Sequence, residues 1–89
     1  MHETKLQHTL ESLAANIKRL RTKQNLTQER LANSAKVDIT FLQRLEYGRV
    51  NVGVAILHRI AQSLGVPISS LFRNSELPPV KKGRPKKKF

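Results

Sequence analysis

Between Gln28 and Glu46 the chain sets two short helix-forming segments about three residues apart, and this spacing constrains the fold more than any other feature. Thr27 is a good N-cap for the first, over 28–35, although Arg30 stands where a capping box would have Glu. Asp38 can cap the second, over 39–47, and Gly48 is placed to end it. Helices joined so closely must cross steeply, which requires small or apolar residues where they meet. Leu31, Ala35, Val37, Leu42 and Leu45 occupy those positions. Ala32 falls where the helices approach most closely, and a larger side chain there would push them apart.

The flanking sequence supplies more helices. Thr4 and Gln7 have the spacing of a capping box. Leu6, Leu10, Leu13, Ile17 and Leu20 follow at intervals of 4, 3, 4 and 3, one apolar stripe on a helix over 5–24. The stripe either packs wholly on the core or offers Leu6 and Leu10 to a partner subunit. Asn25-Leu26 breaks the pattern. A fourth helix opens at Asn51 or Gly53, carries Val54, Leu57, Ile60, Ala61 and Leu64 on one face, and stops at Gly65. Val66-Pro67 introduces a short fifth helix ending at Leu71-Phe72. No segment alternates like a strand, and no internal repeat is visible. The expected fold is all-α, with five helices.

Seventeen Lys+Arg face six Asp+Glu, a net charge of +11. Residues 1–80 hold eleven basic and six acidic residues, whereas residues 81–89 hold six basic residues and no acid. Pro78-Pro79 cannot extend a helix. The reading is a folded domain over 1–73 and a flexible, disordered basic tail over 74–89. Such a charge attracts polyanions, whether nucleic acid or an anionic membrane surface. There is no cysteine, which fits a reducing compartment. No apolar run nears the roughly 18 residues of a membrane span, and the N-terminus shows no secretory signal. A cytoplasmic, nucleoid-associated location is expected, with no membrane partner.

The two central helices have the internal logic of a helix-turn-helix, whose second helix can enter the major groove of DNA. Leu26-Thr27-Gln28-Glu29-Arg30-Leu31-Ala32, then Val37 through Leu45-Glu46-Tyr47-Gly48, resembles the Cro/phage-repressor (Xre) family, as do Asn51 through Pro67 and Leu71-Phe72. The similarity covers about residues 13–72. Val37 to Leu42 also resembles the controller proteins of restriction–modification systems. The resemblance implies a lambda-repressor-like domain. One position departs from the pattern: Lys36 stands where the family usually has Gly and the backbone tends to be left-handed, at a cost of roughly 1 kcal/mol.

With Leu42 and Leu45 facing in, helix 3 should present Ile39, Thr40, Gln43 and Arg44 outward. The resemblance places these residues against base edges. Gln pairs with adenine, Arg with guanine, and Ile or Thr methyls pack on thymine methyls. Arg44 could reach a phosphate instead, and a merely solvated face is the bland alternative for all four. Gln28 begins helix 2, where free N–H groups attract phosphate, and the family uses this Gln on the backbone, a base, or both. Tyr47, Arg49 and Asn51 are expected phosphate contacts, or otherwise solvated loop residues. The resemblance further implies an ion pair between Arg21 and Glu46. A homodimer formed through helix 5 and neighbouring apolar residues such as Ile68, Leu71 and Phe72 is also expected. In the tail, Lys82-Gly83-Arg84-Pro85-Lys86 resembles an AT-hook, whose slim Gly-Arg-Pro core lies in a narrow minor groove. The bland alternative is a basic tail adding nonspecific affinity, and a nuclear-import signal is a third reading.

His2, His8 and His58 do not cluster, so no metal site is expected, and no cofactor. No nucleophile–base pair or phosphate-cradling loop points to an enzyme. The expected function is a sequence-specific regulator, a repressor of its own promoter, binding double-stranded DNA at a palindromic operator as a dimer. Three alternatives stay open: an antitoxin with a toxin partner, a nonspecific nucleoid-type binder, and a membrane-surface binder. RNA polymerase is a further candidate partner.

Overall fold

A computed structural model describes residues 2–73. It has four α-helices, α1 (His2–Lys23), α2 (Gln28–Ala35), α3 (Ile39–Glu46) and α4 (Val54–Leu64), then a 3-10 helix over Ile68–Phe72. No strand occurs among the described residues. The proposed tail, including Lys82, Gly83, Arg84, Pro85 and Lys86, lies outside them.

The core is one cluster fed by every element. Leu10, Leu13 and Ile17 of α1 meet Leu31, Ala32 and Ala35 of α2, Leu42 and Leu45 of α3, and Leu57, Ile60, Ala61 and Leu64 of α4. Leu71 closes it from the 3-10 helix. Two expectations about α1 change. The helix already begins at His2, so Thr4 lies within it and cannot be the cap. Gln7 instead donates its amide to the Glu11 carboxylate (3.2 Å) and the Gly48 carbonyl (3.3 Å), tying α1 to the end of α3. Leu6 stays 47% exposed, one turn beyond the packed stripe.

The turn chemistry follows local rules. The Thr27 hydroxyl accepts from Arg30 N–H (3.0 Å) and the Asp38 carboxylate from Phe41 N–H (3.2 Å). Lys36 is left-handed (φ 59°, ψ 48°) and Val37 N–H reaches back to the Ala32 carbonyl, the bond pattern of a glycine C-cap made here by a lysine. Arg59 of α4 steadies this turn by donating from Nε to the Ala35 carbonyl at 2.9 Å. Because φ is positive, Lys36→Gly should relieve strain and raise stability by about 0.5–1 kcal/mol, part of the relief being offset by the freer unfolded chain. A urea denaturation midpoint that falls would contradict this.

The expected fifth α-helix is a 3-10 helix, and the five-helix reading is corrected to four α-helices plus this turn. The segment has five residues, follows Pro67 and runs directly into extended Arg73. At three residues per turn Ile68 and Leu71 fall on one side, and both pack on the core. The buried Asn16 side chain holds the far end, donating to the carbonyls of Leu71 (2.9 Å) and Arg73 (2.6 Å). Val54 is a second correction. It is 71% exposed, because it is the first residue of α4 and lies off the end of the packed face.

Candidate nucleic-acid interface

α3 is divided lengthwise. Leu42 and Leu45 are fully buried, while Thr40, Gln43 and Arg44 are exposed on the opposite side. Ile39 is intermediate: it packs partly against the core and lines a shallow groove with Thr27, Gln28, Glu29 and Gln43. The structure therefore brings Gln28, Ile39 and Gln43 to one groove between the start of α2 and the exposed face of α3. Glu29 is the carboxylate on that groove's rim. It suits a base-edge donor such as cytosine N4 and opposes a phosphate.

Behind α3 lies a charged bracket. Arg21 grips Glu46 with two parallel bonds, Nε to Oε2 at 2.7 Å and Nη2 to Oε1 at 3.0 Å. Its Nη1 donates to the Leu26 carbonyl at 2.7 Å. The side chains are 11% and 3% exposed. This two-pronged geometry ties α1 both to the last residue of α3 and to the loop that leads into α2. Gln28 joins it by donating Nε2 to Glu46 Oε1 at 3.0 Å. Gln28 is thus half-buried and oriented, not a free first-turn residue.

Tyr47 caps α3 and is 78% exposed; Arg49 and Asn51 are exposed in the following loop. Gly48 turns the chain between them with φ +72°. A Cβ there would sit in ordinary van der Waals contact with Glu11, 3.5 Å away, so the backbone angle is the reason for glycine. Thr40, Gln43, Arg44, Tyr47, Arg49 and Asn51 form the exposed run from α3 into the loop. Among the described residues no three metal-ligating side chains gather. No helix among them is long and apolar enough to cross a membrane.

Among the residues expected at a dimer contact, Leu71 is corrected: it is fully buried in the chain's own core and is not available to a partner. Ile68 is half-buried against that core, and Phe72 is 46% exposed. Sequence reasoning missed Asn16 and the Gln28–Glu46 bond. A signal for Asn16 existed: it sits three after Leu13 and four before Leu20, on the inward stripe, where a polar residue needs a buried partner. The Gln28–Glu46 bond spans 18 residues and left no local trace.

The helix-turn-helix family model matches residues 17–71, more than half of the chain. The control protein C.MunI of Mycoplasma sp is 36% identical over 61 residues, which cover 67% of this chain and 82% of that protein. The restriction-modification controller protein C.AhdI of Aeromonas hydrophila superposes with a TM-score of 0.69 at 28% identity, over 71% of this chain and 96% of its own. The clp gene regulator ClgR of Corynebacterium glutamicum superposes with a TM-score of 0.68 at 27% identity, over 71% of this chain and 67% of its own. The chain belongs to the helix-turn-helix family, as an Xre-like DNA-binding transcriptional regulator of the controller type.

Proposed function

We propose that this regulator binds a palindromic operator as a two-fold dimer, lays α3 in the major groove of each half-site, and represses transcription from its own promoter. The observation that carries this reading is the division of α3. A short helix with Leu42 and Leu45 fully buried, and Thr40, Gln43 and Arg44 free on the other side, offers donors, acceptors and methyl groups without exposing its packing. Ile39 adds a partly buried methyl surface beside Gln43. Tyr47, Arg49 and Asn51 take the flanking phosphates, which set the register. The exposed Phe72 and half-buried Ile68 supply the apolar part of the dimer contact. The basic residues 81–89 add affinity and steepen the salt dependence. The likeness to C.AhdI, a restriction-modification controller protein, supports a role in controlling a restriction–modification system.

Selection of bound sequences from random duplex DNA with the full chain tests this reading. The expected result is a palindrome with half-sites about 10 base pairs apart. Enrichment of no motif would sink the sequence-specific reading in favour of nonspecific binding.

A further inference from the structure

We propose that Lys18 is a DNA-backbone contact, its ammonium group closing one side of a phosphate seat formed with Gln28 and Tyr47. The proposal rests on the duplex-binding reading above and adds to it a residue of α1. Lys18 lies three residues before Arg21, so the two share a helix face. Arg21 is drawn inward to Glu46, whereas Lys18 remains exposed. Between α1, the first residue of α2 and the end of α3 the surface dips into a recess of about 70 Å³ lined by Lys18, Gln28, Glu46 and Tyr47. That space has room for phosphate oxygens at its mouth.

The floor of the recess is the Glu46 carboxylate, which would repel a phosphate if its charge were unmatched. Arg21 matches it at contact: Oε2 accepts at 2.7 Å and Oε1 at 3.0 Å. Oε1 also accepts from Gln28 Nε2 at 3.0 Å. The floor is therefore close to neutral, and the charge on the rim belongs to Lys18. The Gln28 amide spends one hydrogen on Glu46, which fixes its plane and leaves the second for an outside acceptor. Tyr47, 78% exposed, also lines the recess, and a tyrosine hydroxyl can donate to a phosphate oxygen. An ammonium, an amide N–H and a hydroxyl suit phosphate oxygens. A lysine is a flexible point charge that carries no base-reading geometry, so the contact contributes affinity and register, not sequence choice.

The test measures binding of the full chain to its selected operator and to unrelated duplex DNA across a salt series, for wild type, Lys18→Ala, Lys18→Arg and Lys23→Ala. Lys23 is an exposed lysine of the same helix that does not line the recess, so its removal lowers the net charge equally. Lys18→Ala should reduce the slope of log K against log salt by about 0.9 and weaken binding about fivefold at 0.15 M salt, equally on both DNAs. Lys18→Arg should restore the slope, Lys23→Ala should leave it nearer wild type, and all four proteins should melt together. A Lys18→Ala slope equal to that of Lys23→Ala overturns the proposal while leaving the DNA-binding reading intact. Wild type that binds neither DNA overturns both.

Discussion

Replacing Glu46 with alanine should lower the unfolding free energy by roughly 2–4 kcal/mol and remove operator binding under conditions where the protein is still folded. Breaking a buried ion pair on one side costs about 3–5 kcal/mol, because it strands a charge. The lower figure allows for Arg21 sitting at the edge of the core, 11% exposed, where water can reach part of the guanidinium. After the substitution Arg21 keeps its bond to the Leu26 carbonyl but loses both bonds to α3. Gln28 loses the acceptor that orients it. The end of α3 then keeps its apolar side and the Gln7 bond to the Gly48 carbonyl, but not the charged bracket. Urea unfolding monitored by circular dichroism gives the stability. A loss below about 1 kcal/mol would mean that the pair behaves like an exposed surface bridge.

A companion variant separates stability from positioning. Arg21→Met with Glu46→Leu removes both charges and fills the space with apolar atoms. Such replacements are often neutral or stabilising, so much of the lost stability should return. Operator affinity should stay low, since Gln28 remains without its carboxylate. Recovery of binding together with stability would show that the bracket contributes only rigidity.

The contrast between what the sequence discloses and what it hides follows the range of the interactions. The α2–turn–α3 unit was legible because its determinants are local: Thr27 and Asp38 bond N–H groups three residues away, and Leu31, Ala32, Leu42 and Leu45 declare their faces by spacing. The left-handed turn was legible at Lys36 through the missing glycine, and the backbone does adopt φ 59° there. The last element was misread because five apolar-rich residues after a proline fit an α-turn and a 3-10 turn equally well. The Leu71 carbonyl accepts from Asn16, 55 residues away in sequence, a partner that no local pattern discloses. The same tertiary packing withdrew Leu71 from the proposed dimer surface and drew Ile39 partly inward. For the interface, periodicity separated exposed Gln43 and Arg44 from buried Leu42 and Leu45. The recess beside Lys18 depends on three helices meeting and had no counterpart in the linear pattern.

The double substitution Gln43→Ala, Arg44→Ala should leave the fold intact and erase most discrimination between operator and unrelated DNA. Both side chains are exposed, and neither takes part in the packing that Leu42 and Leu45 provide. Each two-pronged base contact is worth about 1–3 kcal/mol of discrimination. The residues are neighbours on one helix, so their effects need not add. A fall of roughly 10²- to 10³-fold in operator affinity is expected from two such contacts. Binding to unrelated DNA should change far less, because Tyr47, Arg49, Asn51 and the basic residues outside α3 remain. The single variants then divide the roles. If Arg44 reads a guanine, Arg44→Ala relaxes the operator at one position and leaves the salt slope nearly unchanged. If it binds a phosphate, affinity falls on every sequence and the slope drops by about 0.9. A double variant that still ranks operator above random DNA as wild type does would move sequence reading away from this face of α3, toward Gln28, Glu29 and Ile39 in the adjoining groove.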